Sequence, residues 1–415
     1  MLRTLLWQLA TLGVLVVVAP PRANAATWMV NPDGSGDALT IQAGLALSSS
    51  GDSVVVACGI YREFQLIMKS GVTLTSATGQ PDCVTIDAEG RGRVFKCLRV
   101  FGGEIIGFTV TGGSATYGGG IFTVSLSTPR IANCVFTGNR ALVGGGAYFH
   151  HSPLVVENCV FSNNHADYFG GGVAIEDFSD PSFLDTEITD NTAASHGGGV
   201  WSYLYSNPAL SGCRLTGNSS GGAGGGLHSM AAGTAGLDNC LISGNLASQG
   251  GAVGVWASGA TLTSCTVTGN SAATTGGGLL ADLGAVVNAE QTILWGNCAA
   301  DGREVHTADT GSLVEFTCSD ADSSSGAMTG AIPPVWTGTN FSADPLFCDG
   351  VSCGAAPSSF GNFELGSASP CLAGQTGGCG LIGALPQGAC SRATATIRAR
   401  SWGQVKALYR DGDRQ

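Results

Sequence analysis

Phe136-Thr137-Gly138-Asn139 is followed five residues on by Gly144-Gly145-Gly146, and the same phrase returns down the chain. Phe161-Ser162-Asn163-Asn164 leads into glycines 170–172, and further copies end at Asn191, Asn218, Asn245, Asn270 and, more loosely, Asn297. Successive asparagines stand 25, 27, 27, 27, 25 and 27 positions apart. A fixed period in the twenties marks one structural unit stacked on itself, each copy burying its apolar face on the next.

Within a copy, Ile131-Ala132-Asn133-Cys134-Val135-Phe136 and Gly146-Ala147-Tyr148-Phe149-His150 alternate over strand length, with no helical period. The glycines between them permit tight corners and close backbone approach. Two or three strands in 25–27 residues make one coil of a parallel β-helix, each strand pairing with its counterpart about 4.8 Å along the axis. At one corner of every coil, Asn139, Asn164, Asn191, Asn218, Asn245, Asn270 and Asn297 are placed to bond one another's amides as a ladder. Leucine shows no period, which excludes a leucine-rich solenoid, and a propeller blade needs about 40 residues.

The predicted class is therefore all-β, a β-helix over residues 26–345 with its clear repeats at about 105–300. Residues 41–47 read as a short helix capping the open end of the stack, since bare strand edges aggregate. The Cys-rich stretch 346–390 reads as a loop-heavy C-terminal cap, and 391–415 as a separate basic tail.

Arg3, the apolar run 5–18 and Ala23-Asn24-Ala25 have the order of a secretory signal peptide over residues 1–25. A secreted or outer-surface location is expected, and no later segment is apolar for long enough to span a bilayer. Cleavage would remove Arg3 and Arg22 and no acid, taking the net charge from −12 to −14. Between Arg140 and Arg303 the one basic side chain is Arg214. Such a body repels phosphate backbones, which excludes nucleic acid as a partner, and it disfavours polyuronates for the same reason.

Cys134, Cys159, Cys213, Cys240 and Cys265 each lie five residues before a repeat asparagine, where Thr186 and Thr292 stand in two copies. One such residue per coil predicts a buried column of small hydrophobes with free thiols, although neighbouring coils bring them near enough to bond. Cys348, Cys353, Cys371, Cys379 and Cys390 lie in a Gly/Pro/Ser-rich segment where disulfides add most. No Cys-x-x-Cys pair or other metal spacing occurs.

Asn31-Pro32-Asp33-Gly34-Ser35-Gly36-Asp37, Thr40-Ile41-Gln42-Ala43, Gly51-Asp52 and Gly59-Ile60-Tyr61-Arg62-Glu63 resemble the N-terminal segment of the right-handed β-helices of the pectin-lyase-like type. Phe136/Asn139, Phe161/Asn164 and Gly250-Gly251-Ala252-Val253 resemble the passenger repeats of polymorphic outer membrane proteins, which pair Phe-x-x-Asn with Gly-Gly-Ala-Ile. Asp344-Pro345-Leu346-Phe347, Ser369-Pro370-Cys371 and Gly380-Leu381-Ile382-Gly383-Ala384 look like the closing segment of secreted bacterial β-helices. The resemblance implies a right-handed coil over most of residues 29–386 and says little of activity, because this fold hosts lyases, hydrolases, esterases and inert adhesins. Its methylesterases need two aspartates and an arginine on adjacent coils. Its polygalacturonase-like hydrolases need Asn-Thr-Asp, a further Asp pair and Gly-His-Gly, and its lyases a basic residue beside calcium carboxylates. None of these sets is present in the sequence.

One constellation carries chemistry. In the strand after each glycine run, alternation turns the second and fourth residues outward. That stacks Tyr148 and His150, then Ala174 and Glu176, then Trp201 and Tyr203, then His228 into one patch. Aromatic faces beside a few polar groups suit sugar rings, and Glu176 near a histidine is the weak candidate for acid–base work. Asp177, Asp180 and Asp185 either hold calcium together with Glu176 or line a solvated turn. His165 and Asp167 are expected in the polar corner before the glycines. The leading expectation is adhesion or binding of a polysaccharide or cell-surface glycan without catalysis. A polysaccharide lyase or glycoside hydrolase, or a structural scaffold of the cell envelope, are the alternatives.

Overall fold

The chain makes four short strands per coil in the computed structural model, which describes residues 25–388 and Cys390. The predicted signal segment up to residue 24 and the tail 391–415 lie outside the described residues. In one coil the strands are Val155–Glu157, Val160–Ser162, His165–Phe169 and Val173–Glu176. Each pairs in parallel with its counterparts one coil before and after, which builds four sheets, I to IV in that order, of 13, 11, 7 and 11 strands. About 12 turns stack into an all-β solenoid.

The coil holds one strand more than the sequence reading allowed. Sheet III was illegible because its strands turn only one small side chain inward. Ala141, Ala166, Ala193, Ala247 and Ala272 fill that column, all buried. Such small residues let sheet III lie close to the body.

Sheets I and II carry the main core. Phe136 and Phe161 stack with centroids 4.8 Å apart and planes 5° from parallel, and Ile188, Leu215, Ile242 and Val267 continue the column, fully buried. Each such side chain contributes about 1.5–3 kcal/mol on leaving water. The glycine runs serve three separate ends. Gly170 has φ +65°, in the left-handed region. A Cβ on Gly171 would lie 2.4 Å from Gly198 O, and one on Gly172 2.7 Å from Gly199 O and 3.0 Å from the Asn191 amide.

That amide belongs to a ladder running from Asn139 through Asn164, Asn191, Asn218, Asn245 and Asn270 to Asn297. Asn218 shows how completely each is used. Its Nδ2 donates to Ile188 O (2.8 Å) and Asn245 Oδ1 (3.0 Å), while its Oδ1 accepts from the Asn191 backbone N–H (3.1 Å) and Asn191 Nδ2 (3.0 Å). Buried amides at 0–2% exposure are stable only because every polar atom is satisfied.

The cysteine column is buried in the core with free thiols, as expected, and each thiol also meets carbonyls. Cys240 Sγ lies 3.3 Å from Asp238 O and 3.4 Å from Leu210 O, sharing its proton between carbonyls freed at the corner between sheets I and II. Thr292 Oγ1 does the same to Glu290 O (3.0 Å) and Leu262 O (3.1 Å), and Ser319 Oγ to Thr317 O (2.9 Å). Thiol and hydroxyl are interchangeable there because both donate. A second column, Ser127, Ser152, Ser179 and Ser206, caps the corner between sheets IV and I.

The N-terminal helix is Ile41–Leu47, with Thr40 Oγ1 accepting from Ala43 N at 3.1 Å, and Ile41 and Leu45 buried on the first coils. Glu63 completes the cap: its two carboxyl oxygens accept from Ile41 N (2.7 Å) and Gln42 N (3.0 Å). At the other end the Cys-rich segment closes the last coil and then runs back along the outside of sheet II. Disulfides Cys298–Cys353 and Cys318–Cys379 tie it to the body, Cys348–Cys390 closes it on itself, and Cys371 remains free. It covers Leu241 and Ile293, which point outward from sheet II yet are buried. Ser358 N donates to Gly244 O (2.8 Å) and Ser359 Oγ to Asp190 Oδ2 (3.1 Å), five coils back from the last strand of sheet II.

Candidate functional site

From Phe95–Leu98 to Leu279–Asp282 the sheet IV strands are four residues long, with the first and third side chains in the core and the second and fourth outside the wall. The second column runs Phe122, Tyr148, Ala174, Trp201, His228, Gly254, and the fourth Val124, His150, Glu176, Tyr203, Met230, Trp256. Tyr148, His150, Glu176, Trp201, Tyr203 and His228 thus share one outer face in the expected register.

The expectation that all six meet solvent is corrected. Tyr148 and Trp201 are only 5% exposed and His228 is 0% exposed. Side chains placed immediately before a glycine run, at the end of a sheet III strand (Tyr117, Phe169) or just beyond one (His196), fold over the second column. Phe169 stacks on Trp201 (4.6 Å, 15°), Tyr117 leans on Tyr148 (4.9 Å) and His196 stacks on His228 (4.9 Å). A small second apolar layer forms outside the coil wall.

Its lower part is electrostatically unusual. Neither ring nitrogen of His228 has a hydrogen-bond partner, and the Trp201 and Trp256 indole N–H groups are likewise buried and unpartnered. Burial, then the neighbouring His196, pushes the His228 pKa down to about 3, so the ring is neutral. His196 accepts from Ala223 N through Nδ1 (2.8 Å), and burial lowers its pKa too. Trp256 stands edge-on over His228 at 4.8 Å. Gly254 makes room for this: a Cβ there would lie 3.1 Å from His228 Cδ2. Tyr117, Phe169, His196 and Trp256 were not found from sequence; the available signal was their place, immediately before a glycine run or two residues beyond the glycine at 254.

The fourth column is the part that faces water. Tyr148 donates its phenol proton to Glu176, and burial together with that carboxylate raises the Tyr148 pKa strongly. His150 Nε2 lies 3.3 Å from Asp177 Oδ2, with His151 Nδ1 at 3.9 Å from the same oxygen. Tyr203 stacks on Trp201 at 5.1 Å. At the adjoining corner, Phe178 and Tyr205 stack at 5.0 Å and are about half exposed. Asp180 accepts from both the backbone and side-chain nitrogens of Asn207, each at 2.9 Å. Among the described residues, no group of three or more His, Cys, Asp or Glu is close enough to hold a metal ion together. His165 and Asp167 are not in a corner. They lie in a sheet III strand, 3.1 Å apart, with Arg140 bonded to the same carboxylate.

The sequence profile described as "Right handed beta helix region" matches residues 40–223 and again 167–320. The chain belongs to that family. Among solved structures, this right-handed β-helix is similar to pectate lyase Pel9A, with 12% identity, a TM-score of 0.43 and coverage of 88% of this chain and 97% of that one. It is similar to ORF18 of Geobacillus virus E2 at 14% identity and TM-score 0.38, covering 73% and 57% of the two chains. For pectin methylesterase from carrot the values are 10%, 0.34, 82% and 94%. No curated protein sequence matches the chain. No residue role follows from these likenesses.

Proposed function

We propose that this chain is an exported glycan-binding protein of the cell surface or its surroundings, and that it takes a neutral polysaccharide strand along the fourth column of sheet IV. The observation that carries the reading is the continuity of His150, Glu176 and Tyr203 with the corner residues Asp177, Phe178 and Tyr205 over three consecutive coils. Carboxylates and an imidazole supply acceptors and donors for sugar hydroxyls, and the ring edges of Phe178 and Tyr205 supply apolar contact. The acidic body selects against polyanions. A glycan array probed with the mature chain and with Tyr203→Ala and Phe178→Ala variants tests it. Binding that both substitutions weaken supports the site; binding to no glycan, or binding indifferent to both, removes it.

A second reading has its own support. Glu176 and the His150–Asp177 pair are register neighbours on adjacent coils, an arrangement able to exchange protons with a glycosidic linkage. Release of reducing ends or unsaturated products from a polysaccharide panel, abolished by Glu176→Gln, would establish cleavage. Full activity in that variant would exclude this site.

A further inference from the structure

The corner between sheets I and II holds one side chain per coil, each immediately before the first residue of a sheet II strand. Two neighbours in this column, Cys58 and Cys83, are joined as a disulfide across one coil step, with Cα atoms 4.6 Å apart. The strands that follow them, Gly59–Tyr61 and Val84–Asp87, are in register at Gly59 and Val84. Cys134 and Cys159 repeat that placement before register partners Val135 and Val160. So do Cys213, Cys240 and Cys265 before the partners Arg214, Leu241 and Thr266. All five are free and buried. Cys134 N donates to Cys159 Sγ at 3.5 Å, which places the two thiols side by side on adjacent coils.

The carbonyl-capping role does not require sulfur. Thr186 and Thr292 perform it with a hydroxyl, and they divide the free thiols into one pair and one triplet. What a cysteine adds over a threonine at this place is the ability to cross-link neighbours. Adjacent positions of a parallel sheet column fall within the Cα separations that a disulfide spans, roughly 4.4–6.8 Å.

We infer that Cys134–Cys159, and Cys240 with either Cys213 or Cys265, are latent inter-coil disulfides, closed by the same class of thiol–disulfide oxidant that closes Cys58–Cys83. One thiolate attacks the oxidant's disulfide, forming a mixed disulfide and releasing one reduced sulfur. The neighbouring thiolate then displaces the second, so two electrons pass to the oxidant and two protons leave the protein thiols. Burial raises the Cys213 and Cys240 pKa values in the finished coil, so closure belongs to folding, before the corner is sealed. Cys97 and Cys371 have no cysteine in the neighbouring place: Cys97 pairs in register with Thr123, and Cys371 donates to Asp320. They remain thiols.

The test is to fold the full mature chain with oxidised and reduced glutathione, unfold it without reductant in iodoacetamide, and map the alkylated peptides. Of the seven thiols free in the structure, three are expected to be alkylated: Cys97, Cys371 and one of Cys213 or Cys265. In Cys134→Ser, whose hydroxyl keeps the carbonyl bond, Cys159 should become alkylated and the unfolding midpoint of the oxidised protein should fall toward that of the reduced one. Alkylation of all five column thiols in material where Cys58–Cys83 has closed would overturn the inference, as would a Cys134→Ser midpoint equal to that of the oxidised parent.

Discussion

Asn297, the last rung of the asparagine ladder, gives its hydrogen bonds to a carboxyl group. Its Nδ2 lies 2.5 Å from Glu304 Oε2 and its backbone N–H 3.0 Å from Oε1. Glu304 is 1% exposed, so a stack of neutral amides ends on an ionisable group sealed in the core. The two bonds from Asn297 favour the carboxylate, but desolvation outweighs them and lifts the pKa to about 8.

Glu304 therefore keeps its proton in the fold at pH values where the unfolded chain, at 4.5, has lost it. Its stabilising effect is complete below pH 4.5 and declines as pH rises through 8. The loss amounts to a few kcal/mol, at about 1.4 kcal/mol per pH unit. Thermal unfolding midpoints should fall from about pH 5 to about pH 8, and Glu304→Gln should flatten that slope. An unchanged slope in the variant would refute the assignment.

His228 acts with the opposite sign. Its pKa is about 3 in the fold against 6.5 unfolded, so the unfolded state binds more protons between those values and stability falls with acidification. About 2 kcal/mol is lost on going from pH 6.5 to about pH 5. His228→Leu, which removes both unpartnered ring nitrogens, should melt no lower at neutral pH and resist acid better. Parallel acid curves for parent and variant would show that the ring is solvated.

Asn218→Ala removes both directions of one rung. It strands Ile188 O and an Asn191 N–H at least, at about 1–3 kcal/mol for each buried group left unsatisfied. Denaturant unfolding should lose about 3–5 kcal/mol, whereas Asn207→Ala at an exposed corner should lose under about 1 kcal/mol. Equal losses would mean that the ladder contributes nothing special.

Glu63→Ala takes away the carboxylate that holds the first N–H groups of the capping helix. The expected cost is about 1 kcal/mol, felt locally, and hydrogen exchange should accelerate at residues 41–47 and the first coils while the central coils stay protected. The same contact explains why Gly59-Ile60-Tyr61-Arg62-Glu63 carries no information about catalysis: its glutamate serves the cap.

The asparagine column and glycine runs were legible because few residue types satisfy a buried corner or survive a carbonyl 2.4–2.7 Å from Cβ. The alternation rule likewise placed Tyr148, Trp201 and His228 outside the wall. It could not say what lies over them, since Phe169 ends a strand whose inward face shows only alanine and His196 lies just beyond the next such strand. The thiol column was legible as free and buried, but its carbonyl bonds were not, although Thr186 and Thr292 pointed to a donor at that corner. Serine before a polar residue and proline, as in Ser179-Asp180-Pro181 and Ser206-Asn207-Pro208, marked the second column and went unread. Burial of Leu241 and Ile293 on the outside of sheet II depends on residues more than fifty positions away, which no local pattern encodes.

The returning C-terminal strap sets a gauge on the solenoid. Residues 353–359 are pinned to Cys298 at one end and Asp190 at the other, so an inserted turn between those anchors would separate them by about 4.8 Å more. Among the described residues no such strap runs between the capping helix and Asp190, so a turn gained or lost there leaves these anchors in place. An engineered extra turn is therefore expected to be tolerated better before Asp190 than between Asp190 and Cys298.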